Sequence, residues 1–186
     1  MPRTIAILGI SGSGSKRSFN QGLLDAAKEM LPADAELEMI DVSKFPLFSK
    51  DSERDPPPEV RAFKQKVRDS DAILFAAPEH NYSISAVLKN AIEWGNRPLE
   101  DNCWDGKPAA IISASTSLRG GARAQLHLRQ IMVDLNMHPI NEPQLMVARA
   151  QDAFDSNLRL KDEKARETLK AVVEALVAWA AKLGGQ

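Results

Sequence analysis

Ala72-Ile73-Leu74-Phe75-Ala76-Ala77 is an unbroken apolar run closed by Pro78. Apolar residues without alternation fit a strand covered on both faces, as in a parallel sheet packed between helix layers. Proline has no N–H to give to a ladder, so the strand ends at Pro78. The polar stretch Glu79-His80-Asn81-Tyr82-Ser83 follows, and a helix pattern then runs through Trp94. A polar loop at the carboxyl end of a buried parallel strand opens on the crevice where such sheets bind ligands.

Strand and helix patterns alternate along the rest of the chain. Thr4–Leu8, Leu37–Val42, Ala109–Ser113 and Gln144–Val147 read as further strands. The first helix carries Leu23, Leu24, Ala27, Met30 and Leu31 on one face. The second turns Val60, Phe63 and Val67 inward, with Pro58 suited to its first turn. The third buries Val87, Leu88, Ala91, Ile92 and Trp94; the fourth spans Gly121 to Leu135. The last, Asp162 to Leu183, buries Leu169, Val172, Val173, Leu176, Val177 and Ala180. Ser43 to Pro58 is a long loop rich in proline and charge. Such alternation implies right-handed βαβ units. No internal repeat or linker is visible, so residues 1–186 are expected to form one domain.

Composition removes several function classes. The 186 residues are 44% apolar, enough for a substantial core, and the net charge of −1 offers no basic face for nucleic acid. The apolar run near Met1 is too short for a membrane span and lacks a small-residue cleavage site. Cys103 is the single cysteine, which rules out an internal disulfide and makes a reducing cytoplasm the expected compartment. Asn81-Tyr82-Ser83 matches a glycosylation sequon, which is empty without secretion. His80, His127 and His138 lack metal-ligand spacing, so no metal site is expected. Cys103, beside Trp104, reads as a packed thiol, and no Gly-x-Ser-x-Gly elbow supports a hydrolase.

Three segments carry a resemblance. Pro78-Glu79-His80-Asn81-Tyr82-Ser83 with Leu88-Lys89-Asn90-Ala91-Ile92-Glu93-Trp94 resembles the signature of the NAD(P)H-dependent FMN reductases, a flavodoxin-like family that includes quinone and chromate reductases. Gly12-Ser13-Gly14-Ser15-Lys16-Arg17-Ser18-Phe19-Asn20 resembles that family's phosphate loop. Ser113-Ala114-Ser115 through Gly120-Gly121-Ala122-Arg123, with Leu128-Arg129-Gln130, resembles its third flavin-side loop and the helix after it. The chain departs from the family at Ser15, where Arg is usual, at His80 (Tyr), at Ser85 (Pro) and at Ser117 (often Gly).

The resemblance implies an α/β, flavodoxin-like fold: a five-stranded parallel sheet in the order 2-1-3-4-5 with helices on both faces. In that order the loops after strands one, three and four converge on one crevice, where FMN sits. The implied cofactor-binding residues are Ser13, Ser15, Lys16, Arg17, Ser18, Phe19 and Asn20; Pro78, Glu79, His80, Asn81, Tyr82 and Ser83; and Ser115, Thr116 and Ser117.

Residue chemistry agrees with this while leaving alternatives open. Gly9 and Gly14 have Walker A spacing, but Ser15 intervenes before Lys16. Gly12-Ser13-Gly14 begins a dinucleotide fingerprint but meets Arg17 where the third glycine belongs, and Asp41 only imitates the ribose acid. A terminal phosphomonoester fits better: Ser13, Ser15, Ser18 and Asn20 offer polar groups at a helix N-terminus, and Lys16 or Arg17 adds a cation. Alternatively, Ser18 is only the helix N-cap, with Gln21 completing a capping box. Asn81 can both donate and accept at a flavin's pyrimidine edge, or it and Ser83 are turn and cap residues. Glu79 is either a site group or a solvated carboxylate, and His80 covers the ring's exposed edge. Ser113 to Ser117 either closes on the ring or simply connects strand to helix. Trp94 reads as helix-end core or interface, and Arg123 and Arg129 as structural or oligomer contacts.

The activity implied is hydride transfer from NADPH or NADH through bound FMN to a small-molecule electron acceptor: a quinone, a flavin or a metal oxyanion such as chromate. The cofactor carries the redox chemistry, so no catalytic acid or base is assigned. The resemblance also implies a homodimer or homotetramer, with no nucleic-acid or membrane partner. The rival is a flavodoxin-type electron carrier, although such carriers are strongly acidic and this chain is near neutral.

Overall fold

The computed structural model describes residues 3–184, so Met1, Pro2, Gly185 and Gln186, the ends of the expected domain, lie outside the described residues. The elements are β1 (Ile5–Ser11), α1 (Phe19–Glu29), β2 (Ala35–Ile40), α2 (Pro58–Asp69), β3 (Ala72–Ala76), β4 (Glu79–His80) and β5 (Ser83–Ile84). After these come α3 (Ala86–Asn96), β6 (Pro108–Ala114), α4 (Ala122–Asp134), β7 (His138–Pro139), β8 (Leu145–Val147), α5 (Ala150–Ala153) and α6 (Glu163–Gly184).

Every residue of β3 is buried, as its unbroken apolar run requires. The strand is central in a parallel sheet ordered β2-β1-β3-β6, and β7 and β8 both pair with the outer side of β6. This is the anticipated flavodoxin-like order, with the fifth strand broken in two. His138 and Pro139 lie against the start of β6, while Leu145–Val147 lie against its end. Pro139 and Pro143 interrupt the stretch, and neither has an N–H for a continuous ladder.

The strand period of two divides the core between the two faces. Ile7, Leu74, Ala76, Ala110 and Ile112 pack with Leu23, Leu24, Leu169, Val173 and Leu176 of α1 and α6. Leu8, Ile10, Ile73, Phe75 and Ile111 pack with Phe63, Val67, Leu88, Ile92, Leu128 and Trp104 on the other side. Met30 and Leu31 fall just beyond α1 yet still pack on the core. Trp94 is buried, and its indole N–H donates to Pro46 at 2.8 Å, so it anchors the long loop. That loop is irregular apart from one 3-10 turn, Lys50–Ser52.

Two features differ from the sequence reading. Lys64 on α2 is buried; its Nζ donates to the Arg97 carbonyl and pairs with Asp101, both at 2.6 Å. The stretch after Pro78 is a hairpin rather than an open loop. Asn81 (φ 49°) and Tyr82 (φ 71°) turn the chain between β4 and β5 in left-handed conformations. Two consecutive residues at positive φ are what a tight hairpin turn of matching twist needs.

Candidate functional site

Strands β1, β3 and β6 are neighbours in the sheet and run parallel, so the segments that follow them open on one rim. The protein's own hydrogen bonds stitch these segments together. The Gly12 N–H donates to the Ala76 carbonyl at 2.9 Å, and the Ser85 hydroxyl donates to the Gly12 carbonyl. Asn20 bonds the Ala114 main chain in both directions, Nδ2 to the carbonyl at 2.9 Å and the Ala114 N–H to Oδ1 at 3.0 Å. Gly12 is where the loops meet. A Cβ there would come within 2.9 Å of Pro78 Cδ and 3.2 Å of Ser85 Oγ, so only glycine permits this approach.

The segment after β1 is rich in unused donors. Among the described residues, the N–H groups of Gly14, Lys16, Arg17 and Ser18 meet no acceptor, and the first turn of α1 lies directly beyond. Ser18 is the N-cap: its buried hydroxyl accepts from the Gln21 N–H at 3.3 Å. Only half of a capping box forms, because the Gln21 amide turns to Asp25 and the Met39 sulfur. Ser13 Oγ accepts from the Ser15 N–H, and Ser15 Oγ donates to the Arg17 carbonyl, which curls the loop. A curled run of free N–H groups at a helix N-terminus is built for an anion. This donor set fits the terminal phosphate of FMN, the cofactor the resemblance implies.

The candidate side chains of this loop divide. Asn20 is spent on Ala114, and Phe19 packs on Phe154 with ring centroids 5.1 Å apart. The adjacent cations diverge: Arg17 donates to the Ser156 carbonyl at 2.9 Å, whereas Lys16 lines a cavity on the β2 side.

At the hairpin, Glu79 is a buried clamp rather than a solvated carboxylate. Its side chain is 6% exposed, accepts from Arg123 Nε at 2.6 Å, and accepts from the Arg123 N–H at 3.1 Å at the start of α4. Burial alone would raise its carboxyl pKa, but the Arg123 hydrogen bonds outweigh burial and hold it below the usual carboxylate range. The Arg123 guanidinium also lies 3.5 Å from the Tyr82 ring centroid, which braces the positive-φ turn. Pro78 is buried at the base; His80, Asn81 and Tyr82 are exposed at the tip. The Ser83 hydroxyl meets His127 Nδ1 at 3.0 Å.

The segment after β6 completes the rim. Ser115 Oγ bonds the Ser117 hydroxyl at 3.1 Å and accepts from the Ser117 N–H, while Thr116 and Ser117 stay exposed. Gly121 (φ 92°) closes the loop: a Cβ there would lie 2.7 Å from Ser113 Oγ. The Ser113 hydroxyl donates to the Gly120 carbonyl and accepts from Gln125, which fixes the turn into α4.

All sixteen candidate residues thus occupy one rim, although Asn20 and Glu79 point their polar groups into the protein. The structural role read for Arg123 holds, and what the sequence reading missed is its partners Glu79 and Tyr82 and the Ser85 tie to Gly12. Each of these contacts joins residues remote in sequence, so no local pattern announces it. Cys103 lies away from this rim, buried against α2, and burial pushes its thiol up to about 12.

The sequence profile of the NADPH-dependent FMN reductases matches residues 5–152. The chain is 46% identical to NAD(P)H-dependent FMN reductase PA1204 of Pseudomonas aeruginosa, with all of both chains covered. It is 45% identical to an NADPH:quinone oxidoreductase of Arabidopsis thaliana over 98% of this chain and 95% of that one. Among solved structures, FerB, a flavoenzyme NAD(P)H:(acceptor) oxidoreductase from Paracoccus denitrificans, superposes with a TM-score of 0.88 at 30% identity, covering 96% of this chain and 98% of its own. The chain belongs to the NADPH-dependent FMN reductase family.

Proposed function

We propose that this chain is an FMN-dependent oxidoreductase that takes reducing equivalents from NADPH or NADH and delivers them to small acceptors, quinones and flavins first and metal oxyanions such as chromate as a further class. The observation that carries this reading is the set of free N–H groups of Gly14, Lys16, Arg17 and Ser18, on the same rim as the hairpin and the Ser115–Ser117 loop. When bound, FMN supplies the hydride-accepting and electron-donating chemistry.

The protein's part is binding and orientation. The free amides of Gly14, Lys16, Arg17 and Ser18 would receive the phosphate, with Ser13 and the Ser18 hydroxyl in the same loop and Lys16 or Arg17 adding a cation. The hairpin from Pro78 to Ser83 would offer backbone groups and Asn81 to the flavin's polar edge. Ser115, Thr116 and Ser117 would border the other side. Glu79 contributes by holding Arg123, and so the turn, in place.

A single crevice that serves donor and acceptor in turn gives ping-pong kinetics. Tyr82, Leu118, Leu126 and Val133 are large apolar side chains between 62% and 81% exposed, on and near α4, which supports self-association as a homodimer or homotetramer. Among the described residues no helix is long and apolar enough to cross a membrane, and the single buried cysteine suits a cytoplasmic setting. We read residues 3–184, which share one central sheet, as one domain.

Anaerobic mixing of the FMN-loaded protein with NADPH tests the reading. Bleaching of the flavin band within seconds, followed by recovery on adding a benzoquinone, is expected. Retention of FMN without bleaching would instead assign the chain to electron carriage between proteins.

A further inference from the structure

A cavity of about 560 Å³ lies on the other flank of the phosphate loop, between the ends of β1 and β2 and away from the hairpin and the Ser115–Ser117 loop. It opens at the carboxyl edge of the sheet, where α/β proteins take ligands, and has room for a nucleoside. Met39 forms part of its wall and offers apolar surface, Ser15 and Ser43 offer hydroxyls, and Lys16 and Lys44 bring two positive charges. Asp41 is the one acid in the lining.

That acid is already engaged. Asp41 Oδ1 accepts from the Ser43 N–H at 2.9 Å and from the Ser43 hydroxyl at 2.6 Å, and Oδ2 lies 3.8 Å from Lys44 Nζ. Its hydrogen bonds with Ser43 hold the carboxyl below the usual range, so it stays ionised and fixes the Asp41–Lys44 turn. With Oδ1 taken by Ser43, only Oδ2, beside Lys44, is left to accept from a ribose diol, the contact that selects unphosphorylated dinucleotides. Lys44 is 87% exposed with only that long contact, and among the described residues Lys16 makes no ion pair. The lining therefore has an excess of cation over acid beside an apolar wall, next to the loop proposed for the FMN phosphate.

We propose that this cavity receives the 2′-phosphoadenosine end of NADPH, with Lys16 and Lys44 reading the 2′-phosphate, so that the chain favours NADPH over NADH. The inference rests on the nicotinamide-oxidising reading above and names the residues that choose between the two donors. The shared Ser13–Lys16 segment would then hold FMN phosphate on one side and the adenylate end on the other.

The test is calorimetric binding of adenosine 2′,5′-bisphosphate, adenosine 5′-monophosphate and inorganic phosphate to the FMN-loaded protein, alongside Lys44→Ala. Lys44 is exposed and outside the flavin contacts, so folding and FMN content serve as controls. The bisphosphate should bind more tightly than the monophosphate, and Lys44→Ala should weaken the bisphosphate alone by roughly fivefold, the size of one exposed ion contact. The NADPH-to-NADH ratio of kcat/KM should fall by a similar factor. Equal weakening of both nucleotides, no weakening of either, or inorganic phosphate binding as tightly as the bisphosphate would overturn the assignment. Absence of flavin bleaching with either dinucleotide would instead strike the proposed function, and the binding result would still stand or fall separately.

Discussion

Ser85→Ala tests whether the protein presets its phosphate loop. The Ser85 side chain is buried and does two jobs: its oxygen accepts from the Leu88 N–H at 3.1 Å as the N-cap of α3, and its proton goes to the Gly12 carbonyl. Loss of the cap costs about 1 kcal/mol. Leaving the buried Gly12 carbonyl without a donor costs about 1–3 kcal/mol more. Stability should therefore fall by about 2–4 kcal/mol, and the melting temperature by roughly 2–4 °C for each of these. A second effect separates positioning from simple destabilisation. If Gly12 relaxes, the free amides after it shift relative to the phosphate, and loss of one charge-assisted contact weakens FMN about tenfold. Riboflavin has no phosphate and should keep its affinity. Fluorescence titration of the apoprotein with both flavins at neutral pH reads the difference. Equal losses for FMN and riboflavin, or an unchanged FMN affinity, would refute the argument.

Three further outcomes are expected. The Glu79–Arg123 pair contributes stability that is present above the ordinary glutamate pKa and lost as pH falls through the lower folded value; Glu79→Gln should thus be less stable than the parent at pH 7 in denaturant unfolding, with the gap shrinking under acid. Gly121→Ala puts a Cβ 2.7 Å from Ser113 Oγ at φ 92°, and should cost about 2 kcal/mol or more in thermal melting. Ser18→Ala with Asn20→Ala removes the α1 cap and strands the buried Ala114 main-chain groups; gel filtration should show FMN lost from the double variant and kept by the parent.

The layered architecture was legible because strands covered on both faces carry an unmistakable pattern. Ala72–Ala77 could not be an amphipathic surface element, and Pro78 marked its end to within two residues. The amphipathic helices declared themselves through residues such as Val60, Phe63 and Val67. The hairpin stayed hidden because Asn81-Tyr82 lacks the glycine that usually signals such a turn. What holds Tyr82 there is Arg123, on a helix beyond a complete further strand. The same distance concealed Asn20 with Ala114 and Ser85 with Gly12, since local sequence gives no account of partners brought together only by the closed sheet. Lys64 was unreadable for a related reason: a lysine on an amphipathic helix looks solvated until the Arg97 carbonyl and Asp101 arrive to receive it.

The broken outer strand has a bearing on how copies of this protein can meet. One lateral margin of the sheet ends in segments of two and three residues, too short to template a neighbour's backbone. The opposite margin, β2, interleaves exposed Glu36 and Glu38 with its apolar residues, with Lys66 paired to Glu38, and a charged border of this kind discourages strand addition. With strand-to-strand addition discouraged at both flanks, helical faces are left as the natural ground for assembly, and the tendency to fibrillise is held down by the same geometry.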